Sequence, residues 1–272
     1  MIDIDIEAVI SVAKRAGREI LSIYRQSDAI SVQVKSDNSP VTSADLVAHQ
    51  VIDDGLTALT PGLPIVSEEA VNLIYEIREK WSRYWLIDPL DGTKEFLAHS
   101  DDFAVNIALI DRHEAILGVV YLPVSGDCYY AVKGQGGFKR NAIGQTTRLF
   151  VRPNPITAPL RIVISRFQPG KHLSYFLEQF KSYELIKRGS TLKICLVAEG
   201  IADIYPRLGA TSEWDTAAAH IILSEAGGML VTLDLKPLRY NTKASLINPP
   251  FLAVADSHRD WVKFLPPLIE AF

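Results

Sequence analysis

Apolar residues near the start of the chain fall on one helical face. Ile6, Val9, Ile10, Ala13, Ala16, Ile20, Leu21 and Tyr24 recur at three- and four-residue steps and predict an amphipathic helix over residues 5–25. The run Lys35-Ser-Asp-Asn-Ser-Pro-Val-Thr is loop chemistry. Thr42 or Ser43 then caps a second helix through Leu59, with Leu46, Val47, Val51 and Leu56 expected to point inward. Pro61-Gly62 ends it, and Ile65-Val66 is a short strand running into Ser67-Glu68-Glu69.

From Tyr84 the period shortens to that of strands. Tyr84–Ile87, Phe103–Ile110, Ala115–Leu122 and Asp127–Val132 predict an antiparallel meander, with hairpin turns at Arg112-His113 and at Lys133-Gly-Gln-Gly-Gly. Beyond a cluster of Pro153, Pro155 and Pro159 the pattern alternates. Strand Arg161–Ser165, helix Leu173–Phe180, strand Glu184–Lys187, helix Thr191–Ala198 and strand Ala202–Tyr205 are followed by helix Asp215–Ala226. Strands at Met229–Leu233 and Phe251–Ala255 and a last helix from about Arg259 complete the chain. The proline cluster divides it into an α+β subdomain, residues 1–155, with the antiparallel sheet, and an α/β subdomain, residues 156–272. The fold class expected is a layered α+β and α/β sandwich sharing one core.

Composition narrows the function. Hydrophobic residues make up 48% and charged residues 22% of the 272 positions, a globular balance. Lys and Arg number 28 against 32 Asp and Glu, a net charge of −4. That argues against a binder of nucleic-acid polymers or anionic membranes but not against small phosphorylated substrates, which need only a local positive site. Cys128 and Cys195 match no zinc or redox spacing and read as core thiols in a reducing compartment. The acidic start is unlike a signal peptide, and the apolar run from Ala115 to Val124 falls short of the ~18 residues of a membrane span. A cytoplasmic protein is expected, with peripheral contact to the inner membrane and oligomeric state left open.

The sharpest chemical signal is Asp88-Pro-Leu-Asp-Gly-Thr93 after the strand Tyr84–Ile87. Pro89 cannot donate to a ladder, so the chain is expected to turn at Asp88, and Asp91, three residues on, can aim at the same point. Gly92 permits close backbone approach, and Thr93-Lys94-Glu95 opens a helical turn with free amides. Converging carboxylates beside exposed amides suit Mg²⁺ shared with a phosphate. Glu68 and Asp215 are candidate partners, although each taken alone is an ordinary solvated acid or helix cap. No pair of histidines has zinc spacing.

With these residues in view, the chain resembles the lithium-sensitive, Mg²⁺-dependent phosphatases of the inositol monophosphatase superfamily over about residues 5–255. Asp88–Thr93 and Trp214–Ala218 resemble the two diagnostic motifs. Asp37-Asn-Ser-Pro-Val-Thr42, Asp88–Phe96, Val105–Asp111, Leu196–Gly200 and Tyr205-Pro-Arg207 resemble its bisphosphate nucleotidase branch. The resemblance implies removal of the 3′-phosphate of adenosine 3′,5′-bisphosphate, giving AMP and phosphate. It also implies possible action on 3′-phosphoadenylyl sulfate and a link to sulfur metabolism.

By the same resemblance two or three Mg²⁺ ions are the cofactor. Glu68, Asp88 and the Leu90 carbonyl would hold the first ion, and Asp88, Asp91 and Asp215 the second. The phosphate would lie against the amides of Gly92 and Thr93, with Thr93 and Asp45 activating the attacking water. Ser165, Gly189, Ser190 and Lys193, with Tyr205 and Arg207, would contact the nucleoside and its remaining phosphate. This places most metal ligands in the first subdomain and the nucleotide-side pocket and Asp215 in the second. Lys35 and Asp37 would belong to a lid. Two other readings stay open: a sugar phosphatase acting on inositol monophosphate or fructose 1,6-bisphosphate, and a metal-binding regulatory protein without turnover.

Overall fold

The computed structural model describes residues 4–26, 32–34, 40–70, 74–152, 158–167, 173–256 and 259–265. The first helix, α1 (Ile6–Tyr24), buries Val9, Ile10, Ala13, Ala16 and Ile20 as its periodicity requires, and Asp5 caps its start. A short antiparallel pair, β1 (Val32–Val34) and β2 (Pro40–Thr42), leads into α2 (Ser43–Leu59), whose N-cap is Thr42. The predicted inward face of α2 needs correction, because Leu46 and Val47 are 49% and 40% exposed. The buried face is instead Ala44, Asp45, Ala48, Ile52, Gly55 and Leu56. Close packing selects small residues here, since a Cβ on Gly55 would stand 2.7 Å from Val12 on α1.

β3 (Ile65–Ser67) runs into a 3₁₀ turn at Glu68–Ala70, followed by α3 (Tyr75–Arg78). β4 (Arg83–Asp91), α4 (Thr93–Leu97), β5 (Ala104–Asp111) and β6 (Glu114–Tyr121) come next. β7 (Cys128–Val132), β8 (Gly136–Arg140) and β9 (Thr146–Arg148) complete a seven-stranded sheet in sequence order from β3 to β9. Only the β3–β4 pair is parallel. The expected turn at Asp88 does not occur. β4 continues across Pro89, pairing Asp88 with Asn106 and Asp91 with Ala104, and a bulge between them absorbs the missing proline donor.

In the second half, β10 (Leu160–Ser165), α5 (Leu173–Glu178), β11 (Tyr183–Arg188), α6 (Leu192–Ala198) and β12 (Ile204–Arg207) follow the predicted alternation. A 3₁₀ turn at Glu213–Asp215 precedes α7 (Ala217–Glu225), so Asp215 lies just before the helix rather than within it. β13 (Met229–Thr232), β14 (Phe251–Val254) and a 3₁₀ turn at Trp261–Phe264, where an α-helix is predicted, end the described chain. The five-stranded sheet has order β11-β10-β12-β14-β13 and mixed direction. The predicted subdomain division falls on residues outside the described set.

Alternation along the strands explains the layering. Trp85 and Ile87 of β4 and Val105, Ile107 and Leu109 of β5 pack with α1 and α2. Tyr84, Leu86, Ala104, Ala108 and Ile110 on the other face pack with α6 and α7. In the second sheet, Phe251 and Ala253 join that middle layer, whereas Leu252 and Val254 pack with Phe176 and Trp261. The order is helix, sheet, helix, sheet, helix. Cys128 and Cys195 are buried core thiols. Among the described residues no helix is long and apolar enough to cross a membrane.

The middle layer fits because it is small. Ala217, Ala218 and Ala219 are buried on α7, and Gly118 of β6 lies under them. A Cβ on Gly118 would come within 2.3 Å of the Ala218 carbonyl oxygen. This contact seats α7 on the seven-stranded sheet, with the turn at Glu213–Asp215 against β4.

Candidate active site

Three stretches far apart in sequence bring carboxylates together. Glu68 opens the turn after β3, Asp88 sits on β4 just before the bulge, and Asp215 closes the turn before α7. One oxygen of each lies within 4.8 Å of the other two. Asp88 is 1% exposed, and its Oδ1 accepts a hydrogen bond from the Leu90 amide at 3.1 Å. Its Oδ2 is buried with no hydrogen-bond partner among the described residues. Asp215 Oδ2 accepts from the Ser212 amide at 2.9 Å, which leaves its other oxygen for the cluster.

The electrostatics are those of a site built for cations. Burial raises the Asp88 carboxyl well above its ordinary range, and the charges of Glu68, Asp91 and Asp215 push it further. Burial also raises Asp215, with Asp91 and Glu68 adding to it. An orphaned buried carboxylate oxygen among like charges is costly unless a cation sits there, and an all-oxygen donor set suits a hard divalent ion. The residues therefore fit Mg²⁺.

Asp91 stands beside this trio and has a second task. Its Oδ2 accepts from the Ser190 hydroxyl, from the Thr191 amide, and from the Thr191 hydroxyl at 2.6 Å. Thr191 Oγ1 also lies 2.9 Å from the Asp215 carbonyl. Asp91 thus fastens the start of α6 to the end of β4. Of the predicted substrate contacts, Ser190 is engaged with Asp91.

Thr93 and Asp45 meet as expected. Gly92, at φ 95°, turns the chain into α4, and Thr93 Oγ1 lies 3.3 Å from Asp45 Oδ1 and 3.4 Å from the Leu90 carbonyl. The other oxygen of Asp45 accepts from the Thr42 amide at 2.7 Å and the Thr42 hydroxyl at 2.6 Å. This capping box at the head of α2 fixes the Asp45 carboxylate in place.

Beyond the carboxylates opens a cleft of about 150 Å³. Asp91, Gly92, Ser165, Ser190, Lys193, Tyr205, Arg207 and Asp215 all line it, so the predicted residues of both halves face one space. Gly189 is adjacent, donating its amide to Asp102 at 2.9 Å. Lys193 is buried, and burial lowers its ammonium to about 8. The ammonium donates to the Ser190 carbonyl and sits 5.3 Å above the Tyr205 ring. Arg207 donates to the carbonyls of Gly209 and Ala210, which makes it a shaped wall of the cleft. Lys94, Glu95, Phe167, Thr211 and Phe251 also line the cleft, and sequence reading gave their side chains no role in it. Glu95 lay inside a recognised motif, but its burial depends on residues distant in sequence. Lys35 and Asp37 are outside the described residues.

Comparison with known proteins agrees with this geometry. The 3′(2′),5′-bisphosphate nucleotidase CysQ of Escherichia coli is 44% identical over 246 residues, covering 90% of this chain and 98% of that protein. The protein of the same name from Aggregatibacter actinomycetemcomitans is 39% identical over 95% of both chains. The crystal structure of CysQ from Bacteroides thetaiotaomicron superposes with a TM-score of 0.80 at 37% identity, covering 92% of this chain and 97% of that one. Residues 3–260 match the inositol monophosphatase family. A carboxylate trio at the end of β4, two sheets separated by helices, and similarity along nearly the whole length lead to one conclusion: the chain belongs to the inositol monophosphatase family.

Proposed function

We propose that this chain hydrolyses the 3′-phosphate of adenosine 3′,5′-bisphosphate to AMP and phosphate in a Mg²⁺-dependent reaction. The observation that carries the proposal is the Glu68, Asp88 and Asp215 cluster with its orphaned buried oxygen, opening onto a cleft with cationic and aromatic walls. The relatives at 39–44% identity named as 3′(2′),5′-bisphosphate nucleotidases supply the substrate class. 3′-Phosphoadenylyl sulfate, which carries the same 3′-phosphate, is the second candidate substrate.

Glu68, Asp88, Asp91 and Asp215, with the Leu90 carbonyl, would hold two or three Mg²⁺ ions. When bound, the ions supply positive charge to the phosphate oxygens and acidify the attacking water. The chain's own groups do the rest. Thr93 gives its hydroxyl proton to Asp45 and so presents a lone pair to the water, passing a proton from water to Thr93 to Asp45. Thr42 holds Asp45 so that this acceptor cannot swing away. The amides of Gly92 and Thr93 receive the phosphate. Ser165, Gly189, Ser190 and Lys193, with Tyr205 and Arg207, form the wall for the nucleoside and its second phosphate, and Lys193 brings the positive charge that wall needs.

The test is kcat/KM on a panel of adenosine 3′,5′-bisphosphate, 3′-phosphoadenylyl sulfate, inositol 1-phosphate and fructose 1,6-bisphosphate. Preference for the adenosine compounds is expected. Preference for a sugar phosphate would replace the nucleotidase reading.

A further inference from the structure

Glu95 is a buried acid in the cleft that the reaction outlined above leaves idle. It stands on α4 at 7% exposure and lines the same space as Asp91, Lys193 and Asp215. Among the described residues no other side chain reaches its carboxylate in a hydrogen bond or ion pair, and the donor to it is its own backbone amide. Burial, then the Asp91 charge, raises its carboxyl above the ordinary range. Lys193, the cation that attracts it, donates a hydrogen bond to the Ser190 carbonyl.

Two glycines make room for this carboxylate. A Cβ on Gly92 would stand 3.3 Å from Glu95 Oε2, and one on Gly189 only 2.5 Å from Oε1. One glycine belongs to the phosphate-side turn after β4 and the other to the nucleoside-side turn before α6, so Glu95 lies where the two halves of a substrate would join. Beyond its own backbone amide no donor among the described residues reaches this buried carboxylate, which has capacity for several hydrogen bonds, so a ligand in the cleft supplies the further donor.

Resting on the nucleotidase reading, we propose that Glu95 accepts a hydrogen bond from the ribose 2′-hydroxyl of the substrate and thereby selects ribonucleotides over 2′-deoxyribonucleotides. In adenosine 3′,5′-bisphosphate the 3′ and 5′ oxygens are esterified, so the 2′-hydroxyl is the one free hydroxyl of the sugar. It sits on the carbon next to the scissile ester, as a group beside Gly92 requires. The adenine amine, the other strong donor, is many bonds away.

The experiment compares kcat/KM for adenosine 3′,5′-bisphosphate and its 2′-deoxy analogue, with Mg²⁺ present, in the wild type, Glu95→Ala and Glu95→Gln. The wild type should favour the ribonucleotide by about 10- to 100-fold, as loss of a donor to a buried charged acceptor predicts. In Glu95→Ala that ratio should collapse to within about twofold of unity. Glu95→Gln, which keeps an acceptor oxygen in place, should retain part of it. Equal hydrolysis of both compounds by the wild type, or a wild-type ratio surviving in Glu95→Ala, would overturn the inference while leaving the nucleotidase reading intact. If Glu95→Ala does not fold, the wild-type and Glu95→Gln ratios decide. Hydrolysis of neither compound by the wild type would remove both.

Discussion

Replacing Asp88 with Asn should stabilise the cation-free protein and make it nearly indifferent to Mg²⁺. Asn has the same shape and keeps an oxygen for the Leu90 amide, so β4 and its bulge are undisturbed. What changes is charge. Asp88 has the Glu68 and Asp215 carboxylates within 4.8 Å, and at that distance each pair repels by about 3 kcal/mol at an effective dielectric constant near 20. Binding a proton limits the cost, since holding a carboxyl of ordinary value 3.8 protonated at pH 7.5 requires about 5 kcal/mol. The gain from Asp88→Asn therefore lies between about 2 and 5 kcal/mol, or roughly 5–15 °C in Tm for a domain of this size. Calorimetry at pH 7.5 in EDTA, then across a Mg²⁺ series, measures both halves of the claim. Wild type should gain about 3 kcal/mol when Mg²⁺ reaches one hundred times its Kd, and Asp88→Asn much less. A Tm in EDTA equal to or below that of wild type, or an unchanged response to Mg²⁺, would refute the reasoning.

Other expectations test separate parts of the structure. Gly118→Ala puts a methyl 2.3 Å from the Ala218 carbonyl oxygen and 2.6 Å from Ile221 Cγ2, so it should cost about 1–3 kcal/mol and weaken Mg²⁺ binding as α7 lifts; a wild-type Tm would mean that α7 is not seated on β6. Thr93→Val should lower kcat by about 10²- to 10⁴-fold with little change in Mg²⁺ affinity, and adding Asp45→Asn should cost little more because the two act as one relay; additive losses would separate them. His220 is half-buried, with Nδ1 2.9 Å from the Tyr240 hydroxyl, and desolvation lowers it from 6.5 to about 4. A depressed value means that its contribution is complete above pH 6.5 and is lost as the pH falls toward 4, by up to about 3 kcal/mol. Denaturant titrations across that window should show the slope in wild type and a flatter one in His220→Gln, and equal slopes would exclude His220 as the source.

Elements whose signal is local and repeated were legible in the sequence. α1 follows from its apolar stripe, and β5 and β6 from continuous apolar runs that only a sheet covered on both faces accommodates. Where partners decide, local signals misled. Pro89 suggested a turn, but pairing with Asn106 and Ala104 carries β4 past it. Leu46 and Val47 suggested an inward face, but the close approach of α2 to α1 at Gly55 and Val12 turns the face of Ala48, Ile52 and Leu56 inward instead. Asp88, Asp91 and Thr93 announced themselves by spacing, whereas Glu68 and Asp215 read alone as a loop acid and a cap, and resemblance supplied their role. Glu95 escaped notice because its burial depends on Gly189, which arrives from the far half of the chain.

The account stands on Glu68, Asp88 and Asp215 jointly holding the cation that this hydrolysis needs. The most direct measurement is phosphate release from adenosine 3′,5′-bisphosphate, with the nucleotide product identified, during titration of Mg²⁺ into EDTA-treated wild type, Glu68→Gln and Asp215→Asn. The account predicts AMP as product, no release before Mg²⁺ is added, saturable activation in wild type, and curves displaced to much higher Mg²⁺ in both variants. Phosphate release that persists in EDTA, or variants that activate at the wild-type concentration, would contradict it.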